Sequence, residues 1–179
     1  MNAKPKKRRS TPEPTTQWLY QQALSYIQRY SGSESRVRML LKKRVQRARF
    51  FHDLGEAEAQ SRINSVVQTL QQEGYLNDTQ FAVNWALTLQ KNGKSRRWIA
   101  AKLREKGLRS NAVAAALEVL DSQTDNWEEE AARSYAERRR LGPYRTPEDT
   151  SWERRQKDLA AMTRAGFGFG LSKQILDKS

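Results

Sequence analysis

The chain has 179 residues, no cysteine and a single histidine, and its 33 Lys and Arg outnumber its 20 Asp and Glu for a net charge of +13. Without Cys there are no disulfides, thiol nucleophiles or thiolate metal sites, and a lone His52 leaves a hydrolytic triad or a histidine metal site without partners. No apolar run approaches the roughly 18 residues of a membrane-spanning helix.

The segment MNAKPKKRRSTPEPT (1–15) is Pro-rich, basic and without apolar periodicity, so it is expected to be a disordered arm that trypsin removes first. It lacks the apolar stretch of a secretory signal, and a cytoplasmic location is expected. The remaining chain still carries +9, so the basicity belongs to the body. An excess of this size favours a polyanionic partner or an acidic protein surface. The plainer alternative is charge that only keeps the protein in solution.

Everything after the arm has helical spacing, and nothing shows the two-residue alternation of a strand. SGSE (31–34) fits a capping box with Ser31 as cap and Glu34 at N3. It opens VRMLLKKRVQRAR (37–49), which carries Arg38, Lys42, Lys43 and Arg44. Next, Ile63, Val66, Val67 and Leu70 form one helix face. The stretch GYLNDTQFA (74–82) then reads as a joint between helices. Gly74 makes a left-handed stop, Asp78 stands at the N-cap, and Tyr75 and Leu76 tuck beneath. Phe81, Trp85, Ala86 and Leu89 resume the helical spacing.

KNGKSRRWIAAKLREKGLR (91–109) is the second basic stretch, with Lys94, Arg96, Arg97, Lys102 and Lys106. Ile99 and Leu103 point inward, which puts Lys102 and Lys106 on one solvated face. Lys94, Arg96 and Arg97 gather at a helix start, where cations oppose the helix dipole. Nothing in the fold needs them there, so an anion beside them is expected. Trp98 lies off the core stripe; it stacks on a base or an arginine, or it covers the core edge. Trp18, Trp85, Trp127 and Trp152 fall on apolar stripes and are expected in the core. Ser110 and Thr146, the latter followed by Pro147, are further expected caps. EEEAAR (128–133) suits a helix start better than a metal site. GFGFG (166–170) mimics a dinucleotide glycine pattern, but no strand precedes it, so it reads as a helix corner with Phe167 buried.

The stretches repeat. A shift of 63 places TQW (16–18) on TQF (79–81), Ala23-Leu24 on Ala86-Leu87, Leu40 on Leu103 and Val45 on Leu108. A shift of 50 places Ile63, Val67 and Leu70 on Val113, Leu117 and Leu120. In a third copy, a shift of 46 places Phe81, Trp85, Ala86 and Leu89 on Trp127, Ala131, Ala132 and Tyr135. A shift of 59 places Ala100, Leu103, Gly107 and Leu108 on Leu159, Met162, Gly166 and Phe167. We therefore expect an all-α chain of three tandem three-helix modules, with nine main helices. Their spans are 16–75 (insertion about 46–58), 76–122 and 123–179 (loop about 141–152). Gly74, Asp78, Phe81, Gly107 and Gly166 are the structural joints.

With this pattern in hand, the chain resembles the RecX family of recombination regulators over about residues 16–177. The resemblance rests on the SxxE box and its basic helix (Ser31, Glu34, Leu40, Leu41, Lys42, Lys43), on GYLNDTQFA, on GKSRRWIAAKLREKGL (93–108), and on the terminal M-T-R-A-G-F with its following helix. Gln80 stands where the family often has a basic residue. The residues offer no catalytic or metal-binding set, so a monomer without enzyme activity, metal or cofactor is expected; the resemblance implies that the three-helix units form an elongated, curved arc. It implies binding to the RecA recombinase filament on DNA, restraining its ATPase, growth and strand exchange, with weak sequence-independent contact to single- and double-stranded DNA and none to membrane. The alternative is a helix-turn-helix regulator that reads DNA without RecA. Arg38, Lys42, Lys43, Arg44, Lys94, Arg96, Arg97, Trp98, Lys102 and Lys106 are the contact candidates.

Overall fold

The computed structural model describes residues 12–30, 32–123, 126–146 and 151–177. Residues 1–11 of the expected arm, Ser31 and Pro147 lie outside them. Among the described residues there are nine α-helices, one short 3-10 helix and no strand. The chain divides into two compact units, 1–77 and 78–179, and the boundary falls inside GYLNDTQFA.

The first unit holds α1 (Thr16–Tyr30), α2 (Glu34–Ala48) and α3 (Glu56–Gln72). Leu19, Val37, Leu41, Val67 and Leu70 are fully buried at its centre. Ahead of α1, Glu13 and the Pro14 carbonyl both meet Arg62 on α3, and Thr15 Oγ1 accepts from the Trp18 N–H at 3.2 Å. The cap of α2 is Ser33, buried, with Oγ accepting from the Arg36 N–H; Glu34 opens the helix rather than standing at N3. This corrects the register of the repeat. Val37 and Leu41 are the inward residues, whereas Leu40 is half-buried. The helix therefore matches its counterpart at a shift of 62, pairing Ser33 with Ser95 and Leu41 with Leu103. The 46–58 insertion is consumed at the end of α2, the start of α3 and a turn between them. Leu54 is buried in that turn, while Phe50 and Phe51 project outward.

The second unit holds α4 (Asp78–Lys91), α5 (Arg96–Glu105), α6 (Ser110–Gln123), α7 (Trp127–Arg139), α8 (Trp152–Arg164) and α9 (Phe169–Asp177). It has two apolar clusters. One is built on Ala82, Ala86, Ile99, Leu103, Val113 and Leu120. The other is built on Ala132, Ala136, Leu159, Met162, Phe167 and Ile175. Trp127 begins α7 yet lies in the first cluster, 5% exposed. It thus stitches α7 to α4–α6, and burying a large apolar side chain in this way is worth about 1.5–3 kcal/mol.

The helix stops share one device. Gly93, Gly107 and Gly166 have φ of 64°, 80° and 91°. In each case the next residue's N–H reaches back to a carbonyl five positions earlier: Lys94 to Leu89, Leu108 to Leu103 and Phe167 to Met162. This is the Schellman closure, which requires a left-handed residue and favours Gly. Gly74 is left-handed too, at φ 78°. Arg140 takes the same role at φ 52° without the freedom of Gly, with Leu141 N–H donating to the Ala136 carbonyl. Buried Asp158 organises the turn that follows. It accepts from the Gly142 N–H at 2.8 Å and from Arg145 Nη2 at 2.7 and 2.8 Å.

Several expectations are corrected. Trp152 starts α8 and is 70% exposed, because the helix begins there and its first turn projects past the cluster. Thr146 is the last described residue before 147–150, so its expected cap with Pro147 lies outside the described residues; Ser151 is the residue ahead of α8. Ser110 is the first residue of α6 rather than its cap, and Asp78 likewise lies inside the first turn of α4. Leu76 is buried, but Tyr75 is half exposed on the surface.

Candidate nucleic-acid interface

α5 is the densest basic element with an aromatic on its surface. Its start is fixed by Ser95, 1% exposed, whose Oγ accepts from the Trp98 N–H at 3.2 Å. The same hydroxyl donates to the Ala165 carbonyl at 2.8 Å. Ser95 thereby fastens the start of α5 to the end of α8. Gly166 is pressed against this joint: a Cβ there would lie 2.5 Å from Ser95 Oγ and 3.3 Å from Trp98 N.

The cations at this helix start are not alike. Arg96 is engaged inside the unit. Its Nη2 bonds Asp121 Oδ2 at 2.9 Å, its Nε approaches both Asp121 oxygens, and its backbone N–H donates to Glu128 Oε1 at 3.1 Å. The hydrogen bond from Arg96 is the chief cause holding the Asp121 carboxyl below the usual aspartate range, and Trp127 Nε1 adds a second donor. The Arg96 guanidinium is correspondingly pushed up, first by the bond to Asp121. So the expectation that the fold has no use for these three cations fails for Arg96. The N–H groups of Arg96 and Trp98 are also occupied, by Glu128 and Ser95, which leaves fewer first-turn donors for an anion. Glu128 itself supplies the negative charge that the dipole favours there.

Lys94 and Arg97 remain available. Arg97 is exposed, and no hydrogen bond or ion pair of either side chain is formed among the described residues. Lys94 Nζ lies over the Trp98 ring, 5.1 Å from its centroid, and Lys102 Nζ lies 5.4 Å from it. Such exposed cation–π contacts are worth about 0.5–1 kcal/mol each. Lys102 also pairs with Glu105 at 2.6 Å. Lys106 sits over Trp85 at 4.6 Å. Lys102 and Lys106 therefore serve two different aromatic rings rather than one shared solvated face. Trp98 is half-buried against the α4–α6 cluster and flanked by ammonium groups, so it covers the core edge and keeps a polar rim. Trp85 is stacked with Phe81 at 6.2 Å.

In the first unit α2 presents a simpler surface. Arg38 bonds Glu34 at 2.6 Å and Asn64 at 2.7 Å, so it is spoken for. Lys42 and Lys43 are exposed, Arg44 is half-buried, and no ion pair of these three is formed among the described residues.

Sequence reasoning missed the residues that α7 and α8 bring to α5. A cleft of about 270 Å³ lies between them, lined by Lys94 and Trp98 on one side and by Tyr135, Arg139, Arg164 and Phe167 on the other. Arg139 and Arg164 close their helices, where the sequence shows only cations suited to a helix end. Among the described residues there is no group of three or more His, Asp or Glu placed to hold a metal ion. None of the described helices is long and apolar enough to cross a membrane.

Together the fold and this surface define a class: tandem three-helix units whose middle helices α2 and α5 are basic and capped by a buried serine. The sequence model of the second three-helix domain of RecX matches residues 77–117. Regulatory protein RecX of Myxococcus xanthus is 40% identical over 162 residues, which cover 90% of this chain and 86% of that protein. Regulatory protein RecX of Agrobacterium fabrum is 28% identical over 167 residues, covering 92% and 86%. The crystal structure of RecX from Lactobacillus salivarius superposes with a TM-score of 0.69 at 21% identity, over 91% of this chain and 95% of that one. The chain belongs to the RecX family, whose members among these relatives are named regulatory proteins.

Proposed function

We propose that this regulator acts on the RecA recombinase filament on DNA, binding as a monomer and lowering the filament's ATPase, growth and strand exchange. Membership of the RecX family carries the reading. The charge supports it, since an excess of +13 suits a nucleoprotein polyanion. In this reading the chain works as three modules, 16–75, 76–122 and 123–179. Lys42, Lys43 and Arg44 on α2, Arg97 and Lys102 on α5, and Lys94 and Lys106 at its two ends meet phosphate or acidic protein surface. Arg38 and Arg96 serve mainly to hold those helices in place. Contact with DNA is weak, blind to sequence and sensitive to salt.

The test is RecA's DNA-dependent ATP hydrolysis with this protein added below stoichiometry. A lowered rate of hydrolysis or strand exchange supports the reading. Unchanged rates at equimolar protein, in a buffer where RecA is active, overturn it. Tight binding to one duplex sequence without recombinase would replace it with the helix-turn-helix reader.

A further inference from the structure

The cleft between α5 and the α7–α8 pair has a composition that its helices alone do not require. Trp98 lines it half-buried, together with Tyr135 and the largely buried Phe167, whose rings lie 5.6 Å apart. Three cations rim it, Lys94, Arg139 and Arg164, and none of the lining residues is acidic. No ion pair of these three is formed among the described residues. A cation at the last turn of a helix suits that helix's dipole, which accounts for Arg139 and Arg164 singly. It does not account for their meeting each other and Lys94 around one aromatic slot without a carboxylate. Like charges gathered in this way repel, and an anion seated among them relieves the repulsion.

We propose that this cleft is a subsite for single-stranded nucleic acid, in which one unstacked base lies against Trp98 and the flanking phosphates meet Lys94, Arg139 and Arg164. The proposal rests on the nucleic-acid half of the reading above. The slot's volume of about 270 Å³ falls just below that of small-ligand pockets, roughly 300–1,000 Å³. It admits a single splayed base and excludes the edge of a duplex. Every base has a π face, so stacking on an aromatic tolerates any sequence. Lys94 and Lys102, now over the ring, swing off it to the phosphates as the base enters. The subsite draws residues from both α5 and the α7–α8 pair, so it exists only while Ser95 joins them.

The full-length chain is titrated into a labelled oligo(dT) strand and into an abasic strand of equal length, at several salt concentrations and without recombinase. Trp98→Ala is expected to weaken oligo(dT) binding roughly tenfold, within the range for loss of one stacked base, and to leave abasic binding unchanged. Trp98→Phe keeps an aromatic face and is expected to stay within about threefold of the parent. Arg139→Ala/Arg164→Ala alters two exposed side chains and is expected to reduce the salt slope by about 1.4, at ~0.7 per single-strand phosphate contact. Equal affinity of the parent and Trp98→Ala for oligo(dT) overturns the proposal, as does equal loss on both strands. Displacement of oligo(dT) by a decaglutamate peptide at the same concentration as unlabelled oligo(dT) overturns it in favour of an acidic peptide. Because no recombinase is present, failure to lower RecA's ATPase would refute the proposed function without touching this result.

Discussion

α2 and α5 are built alike and present their charge differently. Each is preceded by a buried serine whose hydroxyl accepts an N–H of the first turn, and each is studded with Lys and Arg. Along α2, Glu34 and Asn64 absorb Arg38, and Lys42, Lys43, Arg44 and Arg47 then follow without an ion pair among the described residues. Along α5, Asp121 absorbs Arg96, two lysines attend Trp98 and a third attends Trp85. The difference lies in the neighbours. α6 and α7 bring carboxylates and an indole N–H to α5, and α4 brings an aromatic ring. A count of cations along a helix therefore overstates its available charge, and the correction can be read only from what packs beside it.

The comparison breaks most sharply at the glycine stops. Gly166 and Gly74 share a left-handed backbone, but a Cβ at Gly74 would meet nothing within 4 Å, whereas one at Gly166 collides with Ser95 Oγ. Gly74→Ala is expected to cost ~1–2 kcal/mol from backbone strain alone. Gly166→Ala adds an overpacking cost of about 1–3 kcal/mol and is expected to lower Tm by clearly more. Equal shifts in parallel thermal melts would refute the Ser95 joint. Next in size is Ser95→Ala. It removes a cap worth about 1 kcal/mol and strips the donor from a carbonyl whose desolvation costs about 1–3 kcal/mol. A urea titration showing less than ~0.5 kcal/mol of loss would mean that α5 and α8 are held by something else.

Charge reversal then separates the two helices. Arg96→Glu sets a third carboxylate beside Asp121 and Glu128, and a destabilisation of about 1–2 kcal/mol is expected, within the usual span for a broken polar contact. The pH dependence has a definite sign. Asp121 has a lowered carboxyl pKa in the folded state, so its contribution is present at neutral pH and lost as pH falls through the aspartate range. Arg96→Ala should thus be less stable than the parent at pH 7 and converge with it in acid; a gap that persists in acid would count against the Asp121 pairing. The smallest effect on stability belongs to α2. Lys42→Glu/Lys43→Glu should stay within about 0.5 kcal/mol of the parent while weakening salt-sensitive DNA binding. Unchanged affinity across a salt series would mark that face as merely solvated.

Much of this was legible in the sequence because it rests on periodicity. Ile63, Val67 and Leu70 match Val113, Leu117 and Leu120, and all six are buried. Gly107 and Gly166 match, and both are left-handed. The one-residue slip at α2 arose because Leu40 and Leu41 are chemically alike; only the buried Ser33 fixes which of them turns inward. Trp152 misled because an apolar stripe at a helix start can extend beyond the core it follows. The cleft partners Arg139 and Arg164 were invisible, since 45 and 70 residues separate them from Lys94 along the chain and nothing in periodicity brings distant helix ends together.

Trp127 has a consequence for synthesis. The apolar cluster of α4–α6 is completed by a side chain that lies beyond α6, at the head of the next helix. As the chain emerges from its N-terminus, the first unit has every side chain of its own apolar cluster before α4 appears. The next three helices must wait for residue 127 before their cluster is sealed, and domains that fold during translation close in that order. A nascent chain paused just past Gln123 would carry an open apolar notch, the point at which a chaperone would find the most to hold.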